Sequence, residues 1–178
     1  MASRLTIGNK ARDFQFKTPW EDEAGFFDAA GNHPAVLIFL RYYGCPVCQM
    51  EMARMKQDIE RVGKKGGRVF VVLQSQPETI RSLVSRDDFP FTIICDPQGG
   101  IFQLYGVEEG GIFKYLHPAG LIAAVRAISR GFRHGKFEGK ETQLPAAFAM
   151  TGDKLLKYSH YGKTIGDMPE LSKMIIGL

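Results

Sequence analysis

Two cysteines separated by two residues, Cys45 and Cys48, are the side chains in this sequence whose type and spacing could support chemistry. The stretch that holds them reads RYYGCPVC over positions 41–48. Two thiols at this spacing can close a disulfide and reopen it by thiol exchange. The pattern therefore predicts a redox site, in which one sulfur attacks an electrophile and the other resolves the adduct.

The same spacing also occurs in structural zinc sites, which need four ligands. The third cysteine, Cys95, has no cysteine nearby, and no two of the four histidines are spaced as ligands. We therefore expect no metal site, and redox chemistry is favoured over zinc binding or a pair of inert core cysteines. Cys95 is typical of a small buried hydrophobic residue, with a part in the redox chemistry as the alternative.

The segments on either side of the cysteine pair indicate how it is held. Residues 35–40 are apolar throughout, which is typical of a strand buried on both faces of a sheet. The segment after the pair repeats apolar side chains at spacings of three and four, at Cys48, Met52, Met55, Ile59 and Val62. This period predicts a helix with Pro46 in its first turn.

A cysteine placed just before a helix faces unpaired backbone N–H groups and the positive end of the helix dipole, which both favour the thiolate. Cys45 has that position. Cys48 lies one turn later on the buried face of the predicted helix. We therefore predict that Cys45 is the nucleophile and Cys48 the resolving thiol.

Length and composition describe an ordinary globular protein. The 178 residues, 44% hydrophobic and 24% charged, are predicted to form one domain. The apolar segments are much shorter than the roughly 20 residues of a membrane-spanning helix. The N-terminus lacks an apolar stretch of signal-peptide length, so we expect a cytoplasmic protein with no membrane partner. The net charge of +4 is too small to indicate a nucleic-acid partner.

Strand-like and helix-like segments follow one another along the rest of the chain. The patterns predict further strands at 14–16, 68–73, 91–94, 143–150 and 154–158, and helices at 77–84, 101–105 and 171–178. The strands at 35–40 and 68–73 with the helix between them would make one right-handed βαβ unit. Asp167 and Glu170 resemble a capping box for the last helix.

Residues 110–132 form an insert that is predicted to be helical after Pro118. Its apolar side chains share one face of that helix, at Leu121, Val125, Ile128 and Phe132. We expect this face to cover the core. The alternative is that it lines a lipophilic substrate pocket or makes the contact of a homodimer.

The order of these elements resembles the thioredoxin fold, an α/β fold with a central mixed sheet flanked by helices. Three motifs are similar to the peroxiredoxin-like AhpC/TSA group: the residues around Lys10 and Asp13, the Cys45-Pro46 pair, and CDP at 95–97 followed by LYGV at 104–107. The resemblance is strongest to members with a C-x-x-C, and residues 131–148 are similar to the prostamide/prostaglandin F synthase members. It covers nearly the whole chain.

The sequence departs from that group at three positions. Peroxiredoxins proper have a proline and a threonine or serine where this chain has Ile38 and Tyr42, and a late-strand arginine where it has Pro145. Because those groups polarise the bound peroxide, their absence argues against rapid peroxide reduction. Arg41 is the candidate to replace the lost positive charge. Pro145 instead resembles the cis-proline that lies against the C-x-x-C of thioredoxins.

The resemblance implies a thiol-dependent oxidoreductase that reduces peroxides, with Cys45, Cys48, Arg41 and Pro145 as catalytic residues. It also implies substrate contacts from the rest of the motif, at Tyr42, Tyr43, Gly44 and Pro46. No glycine-rich dinucleotide fingerprint is present, so we expect no bound cofactor and an external thioredoxin-like dithiol donor. The alternatives are a thioredoxin-like protein disulfide reductase, and a non-enzymatic redox sensor or partner-binding module whose disulfide switches residues 111–132.

Overall fold

A computed structural model describes residues 2–111 and 117–178 of the chain. The strands are β1 (Gln15–Phe16), β2 (Ala24–Gly25), β3 (Ala35–Leu40), β4 (Arg68–Leu73), β5 (Thr92–Cys95), β6 (Ala146–Met150) and β7 (Leu156–Tyr161). The α-helices are α1 (Phe26–Ala30), α2 (Pro46–Gly63), α3 (Pro77–Arg81), α4 (Gly100–Leu104), α5 (Pro118–Ser129) and α6 (Leu171–Met174). A short 3₁₀ helix covers Arg86–Asp88.

Five of the strands form one mixed sheet in the order β5-β4-β3-β6-β7, and β1 pairs with β2 separately. The central strand β3 is parallel to β4 and antiparallel to β6. All six residues of β3 are buried, as its continuous apolar sequence predicts. The parallel pair with α2 between its strands confirms the predicted βαβ unit, and the mixed sheet flanked by helices confirms the predicted fold class.

The side chains of β3 alternate between two cores because successive residues of a strand point to opposite faces. Val36, Ile38 and Leu40 join the core that includes side chains from α2, α5 and α6. The other three residues of β3 join the core that includes side chains from α1 and α4. Both faces of the sheet are therefore covered, and the loop after β3 emerges where α2 begins.

The strands at 35–40 and 68–73 have the bounds that the sequence predicts, but the last helix does not. Helix α6 covers only Leu171–Met174, with Glu170 at its N-cap and no side-chain cap hydrogen bond. The predicted capping box is therefore wrong. Asp167 instead accepts a hydrogen bond from the Lys163 backbone N–H at 2.8 Å, and lies 3.3 Å from His160 Nε2. These contacts hold its carboxylate in the turn after β7.

Within the insert, Pro118–Ser129 form the helix α5, whereas residues 112–116 lie outside the described part. Its orientation differs from the prediction. The small residues Gly120 and Ala127 are buried, and three of the four predicted core-facing side chains are exposed: Leu121, Val125 and Ile128. Only Phe132 packs against the core. Small side chains let α5 approach its neighbours closely. Within residues 2–111 and 117–178, no helix is long and apolar enough to cross a membrane.

Candidate active site

Cys45 lies in the loop between β3 and α2, at the N-cap of α2. Its sulfur accepts a hydrogen bond from the Cys48 backbone N–H at 3.4 Å, and Pro46 occupies the first turn. This geometry arises locally, because a buried strand is followed directly by a helix whose free N–H groups point back toward the loop. Cys45 is thus in the position where a helix stabilises a thiolate.

Arg41 is the residue that places a positive charge on this sulfur. It follows β3, its side chain is buried, and its Nη2 donates to Cys45 Sγ at 2.8 Å. Its Nη1 donates to the Glu141 carbonyl oxygen at 2.7 Å and lies 3.5 Å from the Glu141 carboxylate. Burial lowers the pKa of Arg41, but the charges of the two cysteines and Glu141 outweigh it and raise the pKa overall. The guanidinium therefore stays charged.

The two thiols have unequal environments. A hydrogen bond from Cys48 has the largest effect on Cys45, and with the charge of Arg41 and backbone N–H groups it lowers the pKa of Cys45 from 9.0 to about 6, although burial opposes the shift. Burial raises the pKa of Cys48, and the hydrogen bond to Cys45 raises it further. At neutral pH Cys45 is a thiolate beside a protonated Cys48, which is the state that nucleophilic attack followed by resolution requires.

The pKa of Cys45 predicts the pH dependence of its oxidation. Because the folded protein lowers this pKa, the reactive thiolate is present above about pH 6 and is lost as the pH falls through that value. We expect the rate of Cys45 oxidation by hydrogen peroxide to be half-maximal near pH 6 and to reach a plateau by about pH 7. Stopped-flow measurements across this range test it. A rate that still rises steeply between pH 8 and 9 would contradict the assigned thiolate.

Tyr42 joins the site to two residues that were not among the predicted site residues, Glu141 and His134. Its side chain is buried, its hydroxyl donates to Glu141 Oε1, and it lies 2.9 Å from His134 Nε2. The other ring nitrogen, His134 Nδ1, is 2.8 Å from the Gly135 carbonyl oxygen. Burial, followed by the hydrogen bond to Glu141, raises the pKa of Tyr42. Glu141 thus holds Tyr42 and Arg41 at once, which fixes the guanidinium that contacts Cys45.

Residues 133–138, which we call the covering segment, lie against the loop that carries Cys45. The Gly135 N–H donates to the Gly44 carbonyl oxygen at 2.8 Å, and Gln49 Nε2 donates to the Arg133 carbonyl oxygen at 3.1 Å. A side chain at Gly44 would overlap the Lys136 carbonyl oxygen. Cys45 is fully buried next to these contacts, so access to its sulfur requires local movement.

This close approach predicts the effect of Gly44→Ala. We expect the added methyl group to displace the covering segment and lower the free energy of unfolding by about 1–3 kcal/mol. In a Cys48→Ser background, iodoacetamide should then alkylate Cys45 faster than it does in the parent. Gly63→Ala is the matched control, because nothing lies within 4 Å of the methyl group it would add. Equal alkylation rates in both variants would show that the covering segment does not restrict access.

Comparison with known proteins assigns a family to this chain. Residues 7–158 match the AhpC/TSA family. The chain belongs to the AhpC/TSA family. Membership of this family indicates that the protein is a thiol peroxidase or a thiol–disulfide oxidoreductase. No curated protein matches the sequence significantly.

Solved structures with the same fold include peroxidases and a disulfide exchange protein. Peroxidoxin BcpB from Mycobacterium tuberculosis has a TM-score of 0.67 at 12% identity, over 92% of this chain and 90% of the other. A candidate thiol:disulfide interchange protein DsbE from Chlorobium tepidum has a TM-score of 0.60 at 20% identity, over 97% of this chain and 96% of the other. Yeast mitochondrial 1-Cys peroxiredoxin has a TM-score of 0.60 at 17% identity, over 91% of this chain and 70% of the other. At these identities the likeness concerns the fold.

Within this AhpC/TSA chain, Pro145 does not have the geometry that the thioredoxin resemblance implies. No cis peptide bond occurs in the described part of the chain, so the bond before Pro145 is trans. Pro145 is buried next to Ala146, which pairs with Phe39, and its carbonyl oxygen accepts from the Gly162 N–H at 2.8 Å. The antiparallel pairing of β6 begins directly after it, and a trans backbone suits that pairing. The expected cis-proline is therefore wrong.

Two further positions complete the comparison with the predicted site. Tyr43 donates its backbone N–H to Ser75 Oγ at 2.9 Å, which ties the motif to the end of β4. Ile38, at the position of the usual peroxiredoxin proline, is a buried core residue that pairs with Val71 and Ala147. Its role in this family member is packing.

Cys95 ends β5, and its backbone N–H donates to the Lys17 carbonyl oxygen at 2.8 Å. Its side chain is buried, as predicted, and burial followed by the charges of Glu78 and Glu138 raises the pKa of Cys95 to about 12. A thiol with this pKa is a poor nucleophile at neutral pH. Across the described residues, no group of three or more His, Cys, Asp and Glu side chains is placed to hold a metal ion.

Proposed function

We propose that this AhpC/TSA protein reduces small peroxides through Cys45 and Cys48. The observation that carries the proposal is the contact of 2.8 Å between Arg41 Nη2 and a Cys45 sulfur that also caps α2. The thiolate attacks one oxygen of the peroxide, the O–O bond breaks, and Cys45 becomes a sulfenic acid. The second oxygen leaves as an alkoxide or hydroxide, which takes up a proton and departs as alcohol or water.

Resolution then uses Cys48. Its thiol attacks the sulfenic sulfur of Cys45, a disulfide forms, and the hydroxyl group leaves as water with the thiol proton. An external dithiol of the thioredoxin type reduces the disulfide and is itself oxidised to a disulfide. The yeast 1-Cys peroxiredoxin, which shares the fold, is described as resolved through glutathione and thioredoxin systems. A thioredoxin-type donor is part of our proposal for this chain.

Arg41 is proposed to act on both reactants. Its charge stabilises the thiolate before attack, and its N–H groups can polarise the peroxide and the leaving oxygen. This would replace the groups that peroxiredoxins proper have at positions occupied here by Ile38, Tyr42 and Pro145. Substrate contacts are proposed from the loop that surrounds the sulfur, at Tyr42, Tyr43, Gly44 and Pro46.

Burial of the thiols favours a small oxidant over a protein disulfide. Cys45 is 0% exposed and Cys48 is 3% exposed, and both belong to the core on the α2 side of the sheet. A peroxide can reach the sulfur after a local opening, whereas a disulfide on another protein needs in-line approach to an exposed thiolate. Protein disulfide reduction is the second candidate, because C-x-x-C at a helix start suits it and the Chlorobium tepidum protein shares the fold.

The test compares both oxidants on the reduced protein. We expect hydrogen peroxide to oxidise Cys45 much faster than it oxidises free cysteine, and to be turned over repeatedly when a thioredoxin system is supplied. We expect slow reduction of insulin disulfides. Cys95→Ser is the matched control and should leave both rates unchanged.

Each other outcome identifies an alternative. Peroxide oxidation no faster than that of a free thiol, together with rapid insulin reduction, would replace the peroxidase by a disulfide reductase. Rapid oxidation that stops after one equivalent of peroxide, despite the donor, would indicate a redox sensor.

A further inference from the structure

Helix α5 packs with its small side chains inward and its large apolar side chains outward. Gly120 and Ala127 are buried, while one side of the helix exposes four aliphatic residues: Leu121 (47%), Ile122 (59%), Val125 (67%) and Ile128 (63%). We call these four residues the α5 apolar face. Single exposed aliphatic residues are common on proteins, but four on one helix of twelve residues form a contiguous patch of the kind that marks an interaction surface.

The stretch of sequence that carries this face is basic. The sequence from Gly110 to Phe137 contains no Asp or Glu and five basic residues, at Lys114, Arg126, Arg130, Arg133 and Lys136. The whole chain carries +4 and this stretch carries +5, which leaves −1 for everything else. The positive charge of the protein is therefore concentrated in the part of the sequence that contains the α5 apolar face.

An exposed apolar helix face in a basic stretch of chain, with Arg126 exposed on the same helix, has the chemistry of a helix that lies in the interface of an anionic membrane. Aliphatic side chains enter the boundary of the acyl chains, while arginines extend to the lipid phosphates. A second copy of the chain fits less well, because two copies of the same basic stretch repel one another. The charge therefore favours a lipid surface over self-association.

We propose that the α5 apolar face binds the surface of membranes that contain anionic lipids. The helix lies parallel to the surface and does not span the bilayer, so this is peripheral binding. It replaces the expectation from the sequence that no membrane takes part, because that expectation concerned spanning segments and had the apolar face directed at the core. The proposal does not depend on the oxidant that Cys45 reduces.

Binding of this kind would also place the redox site near the lipid. The covering segment begins four residues after the end of α5 and reaches the Cys45 loop through the hydrogen bond from Gly135 to Gly44. Phe137 within this segment is 69% exposed. A membrane-bound α5 would therefore hold the covering segment, which is a few residues away along the chain, close to the lipid surface.

Cosedimentation of the full-length protein with vesicles tests the proposal. We expect binding to vesicles of phosphatidylserine and phosphatidylcholine in equal parts, weakening as salt is added, and little binding to phosphatidylcholine alone. Val125→Ser with Ile128→Ser should weaken binding at least about tenfold. Leu83→Ser with Ile176→Ser is the matched control, because these residues are 59% and 78% exposed elsewhere on the molecule and should have no effect.

A second pair of variants tests the charge separately. Arg126→Gln with Arg133→Gln should weaken binding to the phosphatidylserine vesicles about fivefold per arginine, whereas Lys10→Gln with Lys64→Gln should change it little. All four positions are exposed, so the fold should be retained, and circular dichroism checks this.

Three results would overturn the proposal. The first is that the protein binds neither kind of vesicle, and the second is that the apolar variant and its control lose binding equally. The third is that the wild type sediments as a dimer and that Val125→Ser with Ile128→Ser dissociates this dimer. The last result would assign the face to a second copy of the chain.

Discussion

Cys45→Ser should abolish peroxide reduction, whereas Cys48→Ser should spare the first oxidation and stop the cycle after it. Cys45 has the lowered pKa and the contact with Arg41, so its loss removes the nucleophile and should reduce the rate by at least about three orders of magnitude. Cys48 has a raised pKa and cannot replace it. In Cys48→Ser the sulfenic acid should persist, since no neighbouring thiol resolves it.

The two variants are distinguished by mass spectrometry with a sulfenic-acid trap. One equivalent of peroxide should add a trapped sulfenic acid to Cys48→Ser, a disulfide to the wild type, and neither to Cys45→Ser. Cys95→Ser controls for the third thiol and should behave as the wild type. Oxidation of Cys48 in Cys45→Ser at the wild-type rate would exchange the proposed roles of the two residues.

Arg41→Gln should lower the rate of Cys45 oxidation at neutral pH by about 100-fold. The substitution removes the buried positive charge 2.8 Å from the sulfur, so the pKa of Cys45 should rise from about 6 and the thiolate fraction at pH 7 should fall. It also removes the N–H groups that would polarise the peroxide. Stopped-flow oxidation at several pH values separates these effects, because raising the pH restores the thiolate but not the lost donors.

Arg41→Lys is the informative partner of this variant. Lysine keeps the charge, but it lacks the fork that lets one guanidinium contact both Cys45 and Glu141. We expect an intermediate rate and a smaller rise in the pKa of Cys45. Arg61→Gln controls for loss of an arginine, because Arg61 is an exposed residue of α2. An unchanged pH profile in Arg41→Gln would show that the helix start alone sets the reactivity of Cys45.

Glu141 and His134 show where prediction from the sequence ended. They contact Tyr42 from 99 and 92 residues along the chain, and nothing in the spacing of residues 131–148 marks them as partners of Tyr42. A lone carboxylate or histidine in a polar stretch is usually solvated, so the residue type alone does not predict a buried contact. Only the path of the chain from α5 back to β6 brings them to the end of β3.

Helix α5 shows a different limit of prediction from the sequence. The period of its apolar residues predicts a helix correctly, but periodicity does not say which face a helix turns inward. The usual assumption that large aliphatic residues face the core is wrong here, because small residues at Gly120 and Ala127 allow the closer contact. Packing decided that the apolar face of α5 points to solvent, and the proposed membrane binding depends on this exposure.

The placement of the two cysteines was determined by the sequence itself. An apolar strand, a five-residue loop and an amphipathic helix that begins at Pro46 place Cys45 at a helix start and Cys48 one turn on, and each of these features depends on neighbours a few residues away. The tertiary structure decided the rest. It directs Arg41 toward the sulfur, brings Glu141 to Arg41, lays the covering segment over Gly44 and keeps Pro145 trans. These features require contacts between distant parts of the chain, whose geometry is fixed only when the sheet and helices pack together.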